Sequence, residues 1–139
     1  MSAQDAQAVI DSLMLVNLDS DPVEMAKIFG HRFNSAWTLL KEKRVEQRVY
    51  RPGGKELWLV HGRSYDYQVL PNAAFCMCDD FYQAVMDGRA LACKHLIAQK
   101  LAHMLSDYST IDLPDDQYQR DLDDLKAKRH IRYKLTGGE

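Results

Sequence analysis

The residues of this chain best suited to chemistry are Cys76-Met77-Cys78 and Cys93-Lys94-His95. These hold all three of its cysteines, and fourteen residues separate Cys78 from Cys93. Three thiolates and one imidazole make a closed, four-coordinate shell for one zinc ion. A full shell leaves no position for water, so the zinc expected at Cys76, Cys78, Cys93 and His95 is structural rather than catalytic. A C-x-C pair can place both sulfurs on one ion from a bent strand end. C-x-H cannot do so in mid-helix, where residues i and i+2 point about 200° apart. Cys93 is therefore expected before or at a helix start, with His95 in the first turn, where the helix dipole also favours thiolates. Three thiolates on Zn2+ leave a surplus negative charge that Lys94 and Arg89 are placed to offset. The remaining histidines, His31, His61, His103 and His130, are scattered and read as surface or satisfied core positions.

The elements that must position these ligands follow from pattern. Val9, Ile10, Leu13 and Met14 recur at helical spacing and predict a helix from Gln4 to about Leu15. Asp21 as N-cap and Pro22 at the first helical position predict a short helix to about Phe29, stopped by Gly30. Phe33, Trp37 and Leu40 make the stripe of a third helix, about His31 to Lys43. From Val45 the pattern alternates as in a strand. Pro52-Gly53-Gly54-Lys55 is a turn, Leu57–His61 a second strand, Gly62-Arg63-Ser64 a turn, and Tyr65–Leu70 a third strand. Turns this short make an antiparallel meander. Asp79 or Asp80 caps a short helix through Met86. A longer helix follows Cys93 to about Leu105 or Tyr108, with Ile97, Leu101, Met104, Leu105 and Tyr108 as its apolar stripe. Thr110–Asp116 reads as a loop. Gln117–Tyr133 reads as an exposed or partner-stabilised charged helix with Leu122 and Leu125 as sparse anchors. The fold class is thus α+β: N-terminal helices over 1–44, a three-stranded antiparallel meander with the metal motif and its helix over 45–108, and a charged tail over 109–139, in one compact domain.

Composition bounds the function. A chain of 139 residues, 46% apolar and 27% charged, is globular, and no apolar run reaches the roughly 18–20 residues that span a bilayer. The N-terminal stretch carries Asp5 and Asp11 and lacks the basic and apolar regions of a signal peptide. A reducing compartment is expected: the nucleus, or the cytoplasm if the source is prokaryotic or archaeal. The odd cysteine count agrees, since disulfides are rare there. A net charge of -2 argues against strong unaided DNA binding, so any nucleic-acid contact needs a local patch or a partner. Pro52-Gly53-Gly54-Lys55 lacks the spacing and following helix of a phosphate-binding loop, so the chain has no ATPase of its own. Asp79-Asp80 and Asp115-Asp116 read as caps and a solvated loop. Arg48, Arg51, Lys55 and Arg63 are interleaved with Tyr50, Trp58 and Tyr65. They read either as a stacking-plus-phosphate platform for single-stranded DNA or as the solvated face of a sheet.

C-x-C-x14-C-x-H, preceded by Phe75, with Phe81 three residues after the second cysteine and Cys93-Lys94-His95-Leu96-Ile97-Ala98 entering a helix, is the signature of the SWIM-type zinc finger. The chain resembles the small SWIM-domain recombination factors, the SWIM subunit of the Shu complex, specifically over about Tyr65 to Leu105. The resemblance implies a non-enzymatic accessory subunit in homologous-recombination DNA repair. Such a subunit pairs with a RecA-like recombinase paralogue and promotes recombinase filament assembly on single-stranded DNA. It implies the four zinc ligands already named, no small-molecule substrate and no membrane partner. A second reading is a stand-alone nucleic-acid-binding zinc finger protein of transcription or transposition. An enzyme with metal or thiol chemistry ranks last because the shell is closed.

Overall fold

The computed structural model describes Lys27 and residues 29–127 except 64, 74 and 91. The predicted helix from Gln4 to about Leu15 lies outside these residues, as does most of the one from Pro22, though Lys27 and Phe29 are helical. Residues beyond 127, in the predicted helix to Tyr133, also lie outside them. Among the described residues no helix is long and apolar enough to cross a membrane.

Gly30, at φ 74°, turns the chain into α1 (His31–Lys41), a conformation glycine adopts without a Cβ penalty. β1 (Val45–Arg51), β2 (Lys55–His61) and β3 (Asp66–Leu70) form the expected meander, with Gln47 opposite Trp58 and Trp58 opposite Val69. The sheet does not stop there. β4 (Phe75–Cys76) pairs antiparallel with β3, and β5 (Ser109–Pro114) pairs parallel with β1, which makes a mixed five-stranded sheet in the order β4-β3-β2-β1-β5. The expectation of a three-stranded, wholly antiparallel sheet is corrected, and the loop expected over Thr110–Asp116 is largely a strand. Asp112 and Pro114 obscured it. Both are tolerated because β5 is an edge strand, where charge and proline are common.

The sheet is covered on both faces. One face (Val45, Trp58, Val60, Val69, Cys76) packs on α1 and on α2 (Lys94–Leu105) through Phe33, Ala36, Leu40, Leu96, Ile97 and Leu101. α2 is buried around most of its first two turns, whereas Leu105, expected in its stripe, is exposed. The opposite face packs Tyr50, Leu57 and Leu59 against Leu125 of α3 (Tyr118–Lys126), with Met77 and Leu122 alongside. α3 is thus docked on its own sheet rather than exposed, with Leu125 as its fully buried apolar anchor and Tyr118 and Leu122 packed beside it.

A chain of buried charges runs under α3. His61 Nδ1 lies 2.9 Å from Asp66 and its Nε2 lies 2.9 Å from Glu46. Arg48 Nε donates to Glu46 at 2.5 Å, and Arg48 Nη1 is 3.5 Å from Asp121. Tyr50 donates its hydroxyl to Asp121 at 2.7 Å. Burial opposes the protonation of His61, but the two carboxylates outweigh it and hold its pKa above the ordinary value. Burial likewise works against the Glu46 carboxylate. The His61 hydrogen bond and the Arg48 charge outweigh it and hold that pKa down.

A raised histidine pKa stabilises the fold fully below the unfolded value of about 6.5 and loses that contribution as pH rises through the folded value. His61→Gln should therefore lower the urea midpoint more at about pH 6 than at about pH 9. Denaturation at both pH values measures the difference, and an equal loss at the two would refute the charged bridge.

Candidate metal centre

β3 ends in a short turn, Pro71–Ala73, and β4 then pairs back on it, Cys76 opposite Val69. This pairing turns the Cys76 side chain to the α2 side of the sheet. Cys78 follows in the bend beyond the strand. Its Sγ accepts a hydrogen bond from the backbone N–H of Phe81 at 3.3 Å, which opens the wide helical turn Phe81–Val85. The short helix expected through Met86 is therefore this turn. Asp80, one of the two residues expected as its cap, makes no capping bond and instead accepts from both nitrogens of a fork from Arg32 of α1, each at 2.8 Å.

Cys93 is the N-cap of α2, extended at φ -83° and ψ 166°, and its carbonyl accepts the first helical bond, from Ile97 N–H at 3.1 Å. His95 is in the first turn, as the C-x-H spacing requires.

The donor atoms of Cys76, Cys78, Cys93 and His95 all lie within 4.8 Å of one another, with Cys76 Sγ 3.8 Å from His95 Nδ1. Around a tetrahedral zinc with bonds of about 2.3 Å to sulfur and about 2.0–2.1 Å to nitrogen, neighbouring donors sit about 3.5–3.8 Å apart. The observed cluster fits that size, and its chemistry, three soft sulfurs and one imidazole, fits zinc. All four residues are at most 4% exposed, which excludes bulk water from the metal position.

The protonation of the free thiols shows how strongly they interact. Cys78 is held far below the usual thiol range by hydrogen bonds from Cys76 and then Cys93. Cys76, donating to Cys78 and then Cys93 and deeply buried, is pushed well up. For Cys93 the bond with Cys76 works downward, but its bond to Cys78 and its burial prevail and push it up to about 12. Three thiols crowded in an apolar core cannot all ionise without a cation between them. A zinc ion held by Cys76, Cys78, Cys93 and His95 would supply that cation. The chain's own residues then hold the geometry, and four donors complete the coordination.

Arg32 is a charge partner that sequence reading missed. Its pKa is raised first by the hydrogen bond to Asp80, with the neighbouring Cys93 and Cys78 adding to it. Arg89, expected to offset the centre, is exposed and directed at the Gln83 carbonyl and Asp87. No local signal marks Arg32, because its partner is 48 residues away. Tyr67 was also missed in this role: its ring lies 4.5 Å from that of His95.

The basic residues of the meander separate. Arg48 is fully buried between Glu46 and Asp121, so it is corrected from a surface cation to a core one. Arg51 is exposed and paired with Asp112 at 2.9 Å, and Lys55 lies over the Tyr118 ring at 4.7 Å. Arg63 is exposed near Tyr65 in the β2–β3 turn. Tyr50 and Trp58 are buried, so of the three aromatics only Tyr65 presents a face to solvent.

No protein-family model matches the chain, and no solved structure matches it. Over 94 residues it is 26% identical to the Zinc finger SWIM domain-containing protein 7 homolog of Dictyostelium discoideum. That match takes in 66% of this chain and 60% of the relative, so the chain spans about three fifths of the relative's length. Four donors meet at one buried point in the order C-x-C-x14-C-x-H, and a relative is named for the SWIM domain; the cluster is consistent with a SWIM-type zinc site.

Proposed function

We propose that this chain is a non-catalytic accessory subunit in homologous-recombination DNA repair. It pairs with a RecA-like recombinase paralogue and promotes recombinase filament assembly on single-stranded DNA, in the manner of the SWIM subunit of the Shu complex. The observation that carries the reading is the closed SWIM-type cluster of Cys76, Cys78, Cys93 and His95. Its four donors are committed to joining β4 to α2, which suits a scaffold rather than a reaction centre. The working compartment is the nucleus, or the cytoplasm of a prokaryotic or archaeal source. Neither a membrane nor a small-molecule substrate enters this role.

The test is co-purification of the tagged chain with candidate recombinase paralogues. The unaltered chain should retain one of them, and Cys93→Ser should lose it. Retention of the same partners by Cys93→Ser would break the link from zinc to assembly. Recovery of the chain with no paralogue at all would defeat the reading.

A further inference from the structure

A cleft of about 700 Å3 opens beside the zinc site, between α1, the β2–β3 turn and the N-terminus of α2. Its walls carry three cations, Arg44, Arg63 and Lys94, against one carboxylate, Glu42. Glu42 accepts a hydrogen bond from Arg44 Nε at 2.7 Å, so the surplus positive charge is that of Arg63 and Lys94. On a chain of net charge -2 this is a local reversal of sign. Lys94 is also the first residue of α2, whose N-terminus adds partial positive charge.

The same cleft carries two tyrosines. Tyr65, 41% exposed, meets Tyr67 edge-on at 6.4 Å between centroids, and Tyr67 in turn lies over the His95 ring at 4.5 Å. Tyr67 is therefore braced from behind by a zinc ligand, and Tyr65 stands at the rim. Gly62 makes this approach possible: a Cβ there would come within 2.8 Å of the Tyr65 carbonyl and 2.9 Å of the Tyr67 ring.

Cations alone would suit any anion, but cations beside an aromatic face suit a phosphodiester strand with unpaired bases. An acidic peptide offers carboxylates to the cations and nothing to the rings. A duplex keeps its base faces stacked internally.

We propose that this cleft binds a segment of single-stranded nucleic acid, with phosphates held by Arg63 and Lys94 and a base stacked on Tyr65. The inference rests on the reading of the chain as a subunit acting at single-stranded DNA, and it places a direct contact on this chain. Zinc shapes the platform through His95 and Tyr67.

The test is fluorescence anisotropy of a labelled oligothymidylate with the zinc-loaded full chain. Binding at low salt should weaken about tenfold with Arg63→Glu and by a similar factor with Tyr65→Ala. Arg51→Glu, at a different part of the surface, should leave it unchanged. Both test positions are exposed, and zinc content and circular dichroism should match those of the unaltered chain. Absence of oligothymidylate binding overturns the proposal. So does unaltered affinity in both Arg63→Glu and Tyr65→Ala, or equal competition by polyglutamate or by duplex DNA. Oligothymidylate binding that depends on Arg63 and Tyr65, in a chain that captures no recombinase paralogue, supports the cleft and defeats the subunit reading instead.

Discussion

Stripping zinc with a strong chelator lowers the melting temperature of this chain by about 20 °C or more, or abolishes its cooperative transition. A structural zinc contributes on the order of 10–16 kcal/mol in small peptides, against about 5–15 kcal/mol for the whole stability of a domain. Even ~6 kcal/mol of that, at about 3–4 °C per kcal/mol for a domain of this size, reaches the stated shift. The location of the ligands makes the coupling strong. Cys76, Cys78 and Cys93 belong to the same buried cluster as Phe81, Leu96 and Ile97, so metal loss leaves crowded thiols inside the main core rather than at its margin. Cys93→Ser should reproduce the loss without chelator, because a serine hydroxyl replaces a thiolate ligand at the N-cap of α2. Superimposable melting curves with and without chelator would show that packing alone holds the centre.

Replacing Arg48 by methionine should destabilise the fold by about 3–5 kcal/mol, since it removes the guanidinium facing the buried Asp121 carboxylate and leaves Glu46 to His61. Glu46 and Asp121 are 4% and 1% exposed, and both face Arg48. The internal comparison is Arg51→Met. Arg51 and Asp112 form a pair with side chains 64% and 65% exposed, which water screens to at most about 1 kcal/mol. Urea denaturation of both variants reads the contrast, and equal losses would mean that Arg48 contributes no more than a surface ion pair.

Arg48 also shows where sequence reading stops. Its alternation with Gln47 and Val49 announced a strand, and its charge announced solvent. The pairing of β1 with β2 does place it opposite Leu57, on the face of Tyr50 and Leu59. What no local pattern revealed is that α3 covers that face and brings Asp121 to meet the guanidinium. The helix was expected, but its docking on the sheet was obscured because one leucine anchors it and its other buried residue is an aspartate. β5 was obscured because an edge strand tolerates Asp112 and Pro114. The zinc site was legible for the opposite reason. Metal chemistry dictates both the residue types and, through the geometry of a helix start, where Cys93 and His95 must sit. Its supports were not legible. Arg32 and Tyr67 reach the centre by tertiary packing alone, and a sequence carries no mark of that.

The parallel pairing of β5 with β1 has a consequence for the order in which the chain can be assembled. Gln47 and Thr110 are register partners, so a loop of more than sixty residues must close before this part of the sheet exists. Closing such a loop carries an entropy penalty that grows with its length and slows folding. The zinc clasp lies wholly inside the loop, and a metal held by Cys76 through His95 would shorten the span left to close. During synthesis the strand and helix that complete the sheet emerge after β1 through α2. Until they dock, β1 has a hydrogen-bonding edge open to any other extended chain, and Arg48 and Glu46 lie beneath a face that α3 has not yet covered. Metal loading ahead of that docking would shorten the time a nascent chain spends in the unprotected state.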